Sequence, residues 1–143
     1  MREVSRTLFA AAMIAAAATV GTVGSGSAIA ADKKPVTVAL FVAIQANPVE
    51  QMIINNFMST SKEDGATTFV VFDSNNSVQK EIANCNDAIA SKKFDAFALK
   101  AVAGPPLMNC AKKAMAAHIP VVAFGNALGP DPNTAKRQIP GLA

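Results

Sequence analysis

From Val36 to Ile44 the chain is an almost unbroken apolar run without a charge, which suits a strand covered on both faces better than one with a face in water. The run stops at Asn47-Pro48, where Asn offers a helix N-cap and Pro fits the first helical position. Val49, Met52, Ile53 and Phe57 then recur at helical spacing, and Gly65 stands where a left-handed C-terminal cap is wanted. Thr67 to Phe72 reads as a second, β-branched and aromatic strand, followed by the turn-rich Asp73-Ser74-Asn75-Asn76-Ser77. A second helix carries Val78, Ile82, Cys85 and Ile89 on one face. Asp95 to Leu99 gives a third strand, Gly104-Pro105-Pro106 breaks it, and Leu107, Cys110, Ala111 and Ala114 mark a third helix. Pro120 to Phe124 forms a fourth strand. This alternation predicts right-handed crossovers and an α/β fold around a parallel sheet.

The two ends of the chain lack that rhythm. Arg2 and Arg6, the uncharged run Leu8 to Val20 and the small residues Ala28-Ile29-Ala30 together read as a secretory leader over residues 1–30, cleaved to leave Ala31 first. The apolar run is shorter than the roughly 20 residues that span a bilayer, and no cysteine lies near the cut to take a lipid. The expectation is therefore a periplasmic product without a stable membrane anchor. Residues 31–126 form the domain. Beyond it, Gly129-Pro130-Asp131-Pro132-Asn133 and Ile139-Pro140-Gly141 contain too many breakers for another element, so 127–143 reads as a loose tail.

Composition narrows the function classes. The 143 residues carry a formal charge of +3, and removing the leader lowers it further. Lys33-Lys34, Lys92-Lys93 and Lys112-Lys113 are separated pairs rather than a basic stripe, which argues against nucleic acid. With no Trp, no Tyr and 51% hydrophobic residues, the core must be aliphatic with some Phe, and Met52, Met58, Met108 and Met115 are expected to fill gaps in it.

Four ordered segments resemble the N-terminal lobe of the ribose-type periplasmic binding proteins, the substrate-binding components of ABC transporters. They are Val38-Ala39-Leu40-Phe41-Val42 leading to Ala46-Asn47-Pro48, then Phe72-Asp73-Ser74-Asn75-Asn76 with Gln79-Lys80-Glu81-Ile82, then Phe94-Asp95-Ala96-Phe97, and last Ala117-His118-Ile119-Pro120-Val121-Val122. Lactose-type repressors share the lobe, but a leader in place of a DNA-binding head argues against that branch. The resemblance implies strand order 2-1-3-4 with helices on both faces. It also implies a truncated protein, because the second lobe and the hinge crossovers do not follow the fourth strand. Several residues depart from the family pattern. Val49 and Glu50 replace an aromatic pair that stacks on sugar, Ala103 replaces an aspartate, and Gly125-Asn126 replaces Asp-Arg.

Ligands of open parallel sheets bind outside the carboxyl ends of the strands, where the strand order reverses. In the implied order that crevice is lined by Gln45 to Asn47, Asp73 to Asn75, Lys100 to Ala103 and Phe124 to Asn126. Gln45, Asn47, Asp73, Lys100 and Asn126 are the candidate ligand-binding residues. Asn47 has a rival role as helix cap, and Asp73 as organiser of its own turn. Lys100 suits an anionic ligand or a solvent-facing position. His118, the sole histidine, fits a left-handed position after a helix. Neither a zinc-ligand spacing nor a catalytic set is present, so no metal, cofactor or enzymatic activity is expected.

Two cysteines in an exported chain invite a disulfide. In the implied order, right-handed crossovers set the second and third helices side by side, with Cys85 on one and Cys110 on the other, so a structural bridge is expected; a redox pair is the rival. The reading that follows is binding of a small polar ligand, sugar-like in character, for import through an ABC permease if a second lobe is supplied. The alternatives are an exported single-lobe interaction module or a non-functional gene fragment.

Overall fold

A computed structural model describes residues 34–131, 133–134 and 136–143. The expected leader, residues 1–30, lies outside the described residues. The elements run β1 (Val36–Val42), α1 (Pro48–Asp64), β2 (Thr67–Asp73), α2 (Val78–Ser91), β3 (Ala96–Leu99), α3 (Gly104–Ala116) and β4 (Val121–Ala123). The four strands form one sheet in the order β2-β1-β3-β4. Every pairing is parallel, with Val36 opposite Thr67, Val38 opposite Ala96 and Phe97 opposite Val121. Fold class and strand order are those expected.

Local chemistry explains the boundaries. Asn47 is extended, and its Oδ1 accepts the Val49 N–H at 2.8 Å, satisfying one of the unpaired donors that open α1. Gly65 ends the helix at φ 63°, donating its N–H to the Ser61 carbonyl. Ser77 caps α2 through the Lys80 N–H, and that helix ends on Lys92 at φ 55°. The Gly104-Pro105-Pro106 sequence, read above as a break, instead opens α3, because proline lacks an N–H that the first turn does not need. Glycine is required at 104, since the Ala127 carbonyl oxygen occupies the space of any side chain there.

Alternation along β1 divides the core. Ala39 and Phe41 face α2 and α3, where they join Cys85, Ala88, Phe97, Leu99, Leu107, Cys110, Ala111 and Ala114. Leu40 and Val42 face α1 with Ile54, Ala98, Phe57 and Phe124. The last four residues of β1, Ala39 to Val42, are fully buried, as a doubly covered strand requires. Rings reinforce both layers, Phe41 lying 5.0 Å from Phe72 and 5.2 Å from Phe97 on one side, Phe57 5.0 Å from Phe69 on the other.

The expected face of α1 is displaced. Val49 and Met52 are 57% and 58% exposed, so Met52 fills no core gap, while Glu50 and Ile54 are the buried residues. Glu50, in the first turn of α1, is thereby buried against the sheet end. The tail also departs from expectation. Among its described residues no helix or strand occurs, but Leu128, Ile139 and Leu142 are buried in the α2/α3 core. The tail is also fastened by hydrogen bonds. Ala143 accepts from the Ala123 N–H and donates to the Val121 carbonyl, and the Gln138 amide exchanges two hydrogen bonds with Asp131. Breakers forbid regular structure but do not prevent apolar side chains from packing.

Cys85 and Cys110 form a disulfide with a Cα separation of 6.3 Å, inside the range that a bridge spans. It ties α2 to α3 at the places where both helices are buried.

Candidate functional site

The helix after β1 crosses on one face of the sheet and those after β2 and β3 on the other, so the order reverses between β1 and β3. At their carboxyl ends lies the segment Lys100-Ala101-Val102, and three side chains grip it. From the α1 face, Glu50 forms an ion pair with Lys100 Nζ. From the α2 face, both carboxylate oxygens of Glu81 accept the Val102 N–H, at 3.0 and 3.1 Å. From the loop after β4, Asn126 Nδ2 donates to the Ala101 carbonyl at 2.7 Å.

The expected ligand residues occupy the strand ends in an arc. Gln45, after β1, donates its N–H to Asp73 Oδ1 at 3.1 Å, and the same oxygen accepts from Asn75 at 2.8 Å. Asp73 therefore organises its own turn and binds it to the β1 loop, allowing Asn75 and Asn76 to hold positive φ angles of 47° and 57°. The Gln45 carbonyl accepts from Gln51 Nε2 at 2.6 Å. Asn47 uses its side-chain oxygen as the α1 cap, so the capping role of this residue is occupied.

Lys100 is not the solvent-facing lysine that was one of its expected environments. Its side chain is 18% exposed and neutralised by Glu50, itself 5% exposed. The aliphatic stem lies against Gly125 at φ 75°, where a Cβ would come within 3.1 Å of Lys100 Cε. Asn126 borders a hollow of about 330 Å³ between Val102–Pro105 and Gly125–Ala127, and a second hollow, about 480 Å³, continues from β4 to Thr134 and Lys136–Gln138 of the tail.

Three buried polar residues of this end lie outside the set of candidate ligand-binding residues. Glu50 is 4% exposed, and Ser74 and Glu81 are fully buried. Among the described residues, Glu50 Oε2 and Ser74 Oγ have no hydrogen-bond partner. Burial pushes the Glu81 carboxyl up from 4.5 to about 7, opposed by the hydrogen bond from Val102. The available signal was periodicity: Glu81 precedes Cys85 by four positions and Glu50 precedes Ile54 by four, each on the buried side of its helix.

His118 holds φ 61°, two residues beyond α3, as expected. It lies at the opposite end of the sheet, beside Lys92, Phe94 and Asp95 around a hollow of about 560 Å³. Among the described residues, no cluster of three or more His, Cys, Asp or Glu suits a metal ion, and no helix is long and apolar enough to cross a membrane.

Residues 38–138 match the family described as periplasmic binding protein domain. No curated protein sequence matches the chain. Among solved structures, an ABC transporter solute-binding protein of Burkholderia multivorans is 27% identical, with TM-score 0.63 over 69% of this chain and 35% of its own; it holds an unknown ligand represented as α-D-erythrofuranose. A periplasmic ribose ABC transporter protein of Conexibacter woesei shares the fold at 21% identity and TM-score 0.58, over 71% and 33% of the two chains. An ABC transporter solute-binding protein of Mycobacterium smegmatis with bound glycerol does so at 17% and 0.59, over 64% and 31%. The chain spans about a third of the length of these structures.

Proposed function

Because this chain belongs to the periplasmic binding protein domain family, we propose that it binds a small, polyhydroxylated, sugar-like ligand at the carboxyl ends of its strands, in the periplasm, as one lobe of an uptake system served by an ABC permease. The observation that carries this reading is the concentration of polar groups at the reversal between β1 and β3, the position where open parallel sheets take ligands. Gln45, Asn47, Asp73, Lys100 and Asn126 line that end, with the Lys100–Val102 backbone held rigid from both faces. Binding rather than catalysis is the role proposed, with hydroxyls exchanged between water and these amide, carboxylate and ammonium groups. Solute-binding proteins that share this fold hold D-glucose and D-allose, which supports the ligand class.

Periplasmic binding proteins close two domains on a ligand like a hinge. Contacts from one lobe alone give a correspondingly weaker complex. The test is a backbone-amide NMR titration of the exported chain with D-glucose, D-allose and D-ribose to tens of millimolar. Saturable shifts at 45–47, 73–75, 100–103 and 124–126 are expected. Shifts confined to the His118 end, or none anywhere, would remove the proposal.

A further inference from the structure

The sheet has two edges, and the chain treats them differently. At β4 the outer edge is covered by the chain itself, where Ala143 accepts from the Ala123 N–H at 3.0 Å and donates to the Val121 carbonyl at 3.1 Å. At β2 the cover stops short. Val36 donates to the Ala66 carbonyl and Ser74 donates to that of Val42, so the even-numbered residues of β2 bond to β1. Thr67, Phe69, Val71 and Asp73 therefore point their backbone groups outward. Both ends of that row are taken. The Thr67 N–H donates to Asp64 Oδ1 at 2.8 Å, the Thr67 carbonyl accepts from Ser61 Oγ, and the Asp73 carbonyl accepts from Asn84 Nδ2 at 3.3 Å. Between them, the N–H and C=O of Phe69 and of Val71, with the Asp73 N–H, have no partner among the described residues.

The free row is centred on Val70, the middle residue of β2. We propose that β2 pairs antiparallel with β2 of a second copy of this chain, about a two-fold axis at Val70, joining two four-stranded sheets into one. In that register Phe69 stands opposite Val71 of the second copy, and the two exchange both backbone hydrogen bonds, so every free group of these residues is matched. The Asp73 N–H meets the Thr67 carbonyl of the second copy, which keeps one lone pair beside its bond from Ser61. Val70, 39% exposed in the single chain, meets its own copy as the close, non-hydrogen-bonded pair. Phe69 against Val71 is an aromatic and β-branched pair of the kind that stabilises sheets. No charge or proline interrupts Thr67 to Phe72, although these are the residues that usually blunt an exposed edge. The nearest acids, Asp64 and Asp73, already accept from N–H groups of their own turns. Pairing uses up β2 and leaves only the covered β4 edges, so assembly stops at two. The strand ends of the two copies point in opposite directions, and the pairing neither needs nor blocks ligand binding there.

The contact is short, so a weak dimer is expected, forming at micromolar concentration and above. Analytical ultracentrifugation of the exported chain should show the mass rising with concentration from monomer to dimer and no further. Over the same range the Phe69 and Val71 amides should shift and gain protection from hydrogen exchange. Val70→Lys sets two ammonium groups face to face and should weaken association at least about tenfold, with amide spectra reporting that the fold persists. Val70→Thr should associate within a few-fold of wild type. In Val70→Cys two thiols meet across the axis at a Cα separation of about 4.5 Å, within reach of a disulfide. Oxidation should then give a covalent dimer, whereas Thr68→Cys should give none. A monomer at every concentration, association that V70K leaves unchanged, cross-linking at 68 in place of 70, or growth beyond a dimer would each overturn the pairing. Sugar-induced shifts at the strand ends are read independently of all these results, so the two proposals fail separately.

Discussion

The two faces of the sheet each bury a carboxylate against the same short segment, and they treat it differently. On the α1 face Glu50 has a counter-ion, Lys100. On the α2/α3 face Glu81 accepts two hydrogen bonds from one backbone N–H and has no cation beside it among the described residues, and burial raises its pKa to about 7. The surroundings differ in the same sense. The α2/α3 layer is broad, apolar and cross-linked by Cys85–Cys110, whereas the α1 layer has four fully packed residues and a ring of partly buried ones. A wide apolar layer holds an acid by favouring its neutral form, while a thin layer near the surface can admit a lysine beside it. The charged pair at the strand ends thus belongs to the α1 face, and the apolar, cross-linked layer to the α2/α3 face.

The sharpest way to break this contrast is to cut the disulfide. Its sequence separation of 25 gives about 3.5 kcal/mol of stabilisation by the chain-entropy model. Urea unfolding with and without reductant measures it, and Cys85→Ala with Cys110→Ala should match the reduced protein. Equal midpoints would mean that packing alone secures α2 against α3.

Second in size is the pH dependence assigned to Glu81. Its folded pKa lies above the unfolded value, so between about 4.5 and 7 the folded state binds more protons than the unfolded one. Stability is full below that window and declines as pH rises through it, by a total on the order of 3 kcal/mol. Glu81→Gln keeps an acceptor for Val102 and removes the titration. The stability difference between wild type and E81Q should therefore move in favour of the variant from pH 4 to pH 8. A difference that stays constant across that range would show that folding leaves the Glu81 pKa unchanged.

Lys100→Met probes the other face by leaving Glu50 buried without a counter-charge. Losing one partner of a buried pair costs roughly 3 to 5 kcal/mol; the partial exposure of Lys100 reduces the expectation to about 2. Combining it with Glu50→Gln should recover most of that loss, and thermal unfolding of the four proteins forms the cycle. Additive effects would show that the two side chains stand as neighbours without coupling. The smallest expected effect is Asn47→Ala, about 1 kcal/mol from loss of the α1 cap, with Asn47→Ser close to wild type. If alanine is harmless, the Val49 N–H finds its partner elsewhere.

Regular elements were legible because each has a local cause. The uncharged run at Val36, the Asn47-Pro48 start and the Gly65 stop require no knowledge of neighbours, and all three occur as read. The face of α1 was not legible in the same way. Val49, Met52, Ile53 and Phe57 fit helical periodicity, yet the sheet meets Ile54, Phe57 and Met58, a rotation that the contacts with the sheet decide and the periodicity alone does not. Glu50 and Glu81 look like surface residues in a linear reading, since acids are seldom fully buried. Only their distant partners justify the burial, and those partners lie 50 and 21 positions away.

The sequence by itself determined the succession of strands and helices, the parallel sheet and, with the family likeness, the strand order, the pairing of Cys85 with Cys110 and the arc of strand-end loops. Such features follow from propensity, capping and crossover handedness, which act over one or two elements. Tertiary structure alone decided which groups at those loops are spoken for. Asp73 uses Oδ1 to order its turn, Asn47 Oδ1 accepts the capping hydrogen bond from Val49, and Lys100 is matched to Glu50. It also decided that Leu128, Ile139 and Leu142 anchor a tail rich in breakers. The physical reason is the same in each case: hydrogen bonding, charge pairing and burial depend on separations between residues far apart in the chain, and those separations exist only once the sheet has assembled.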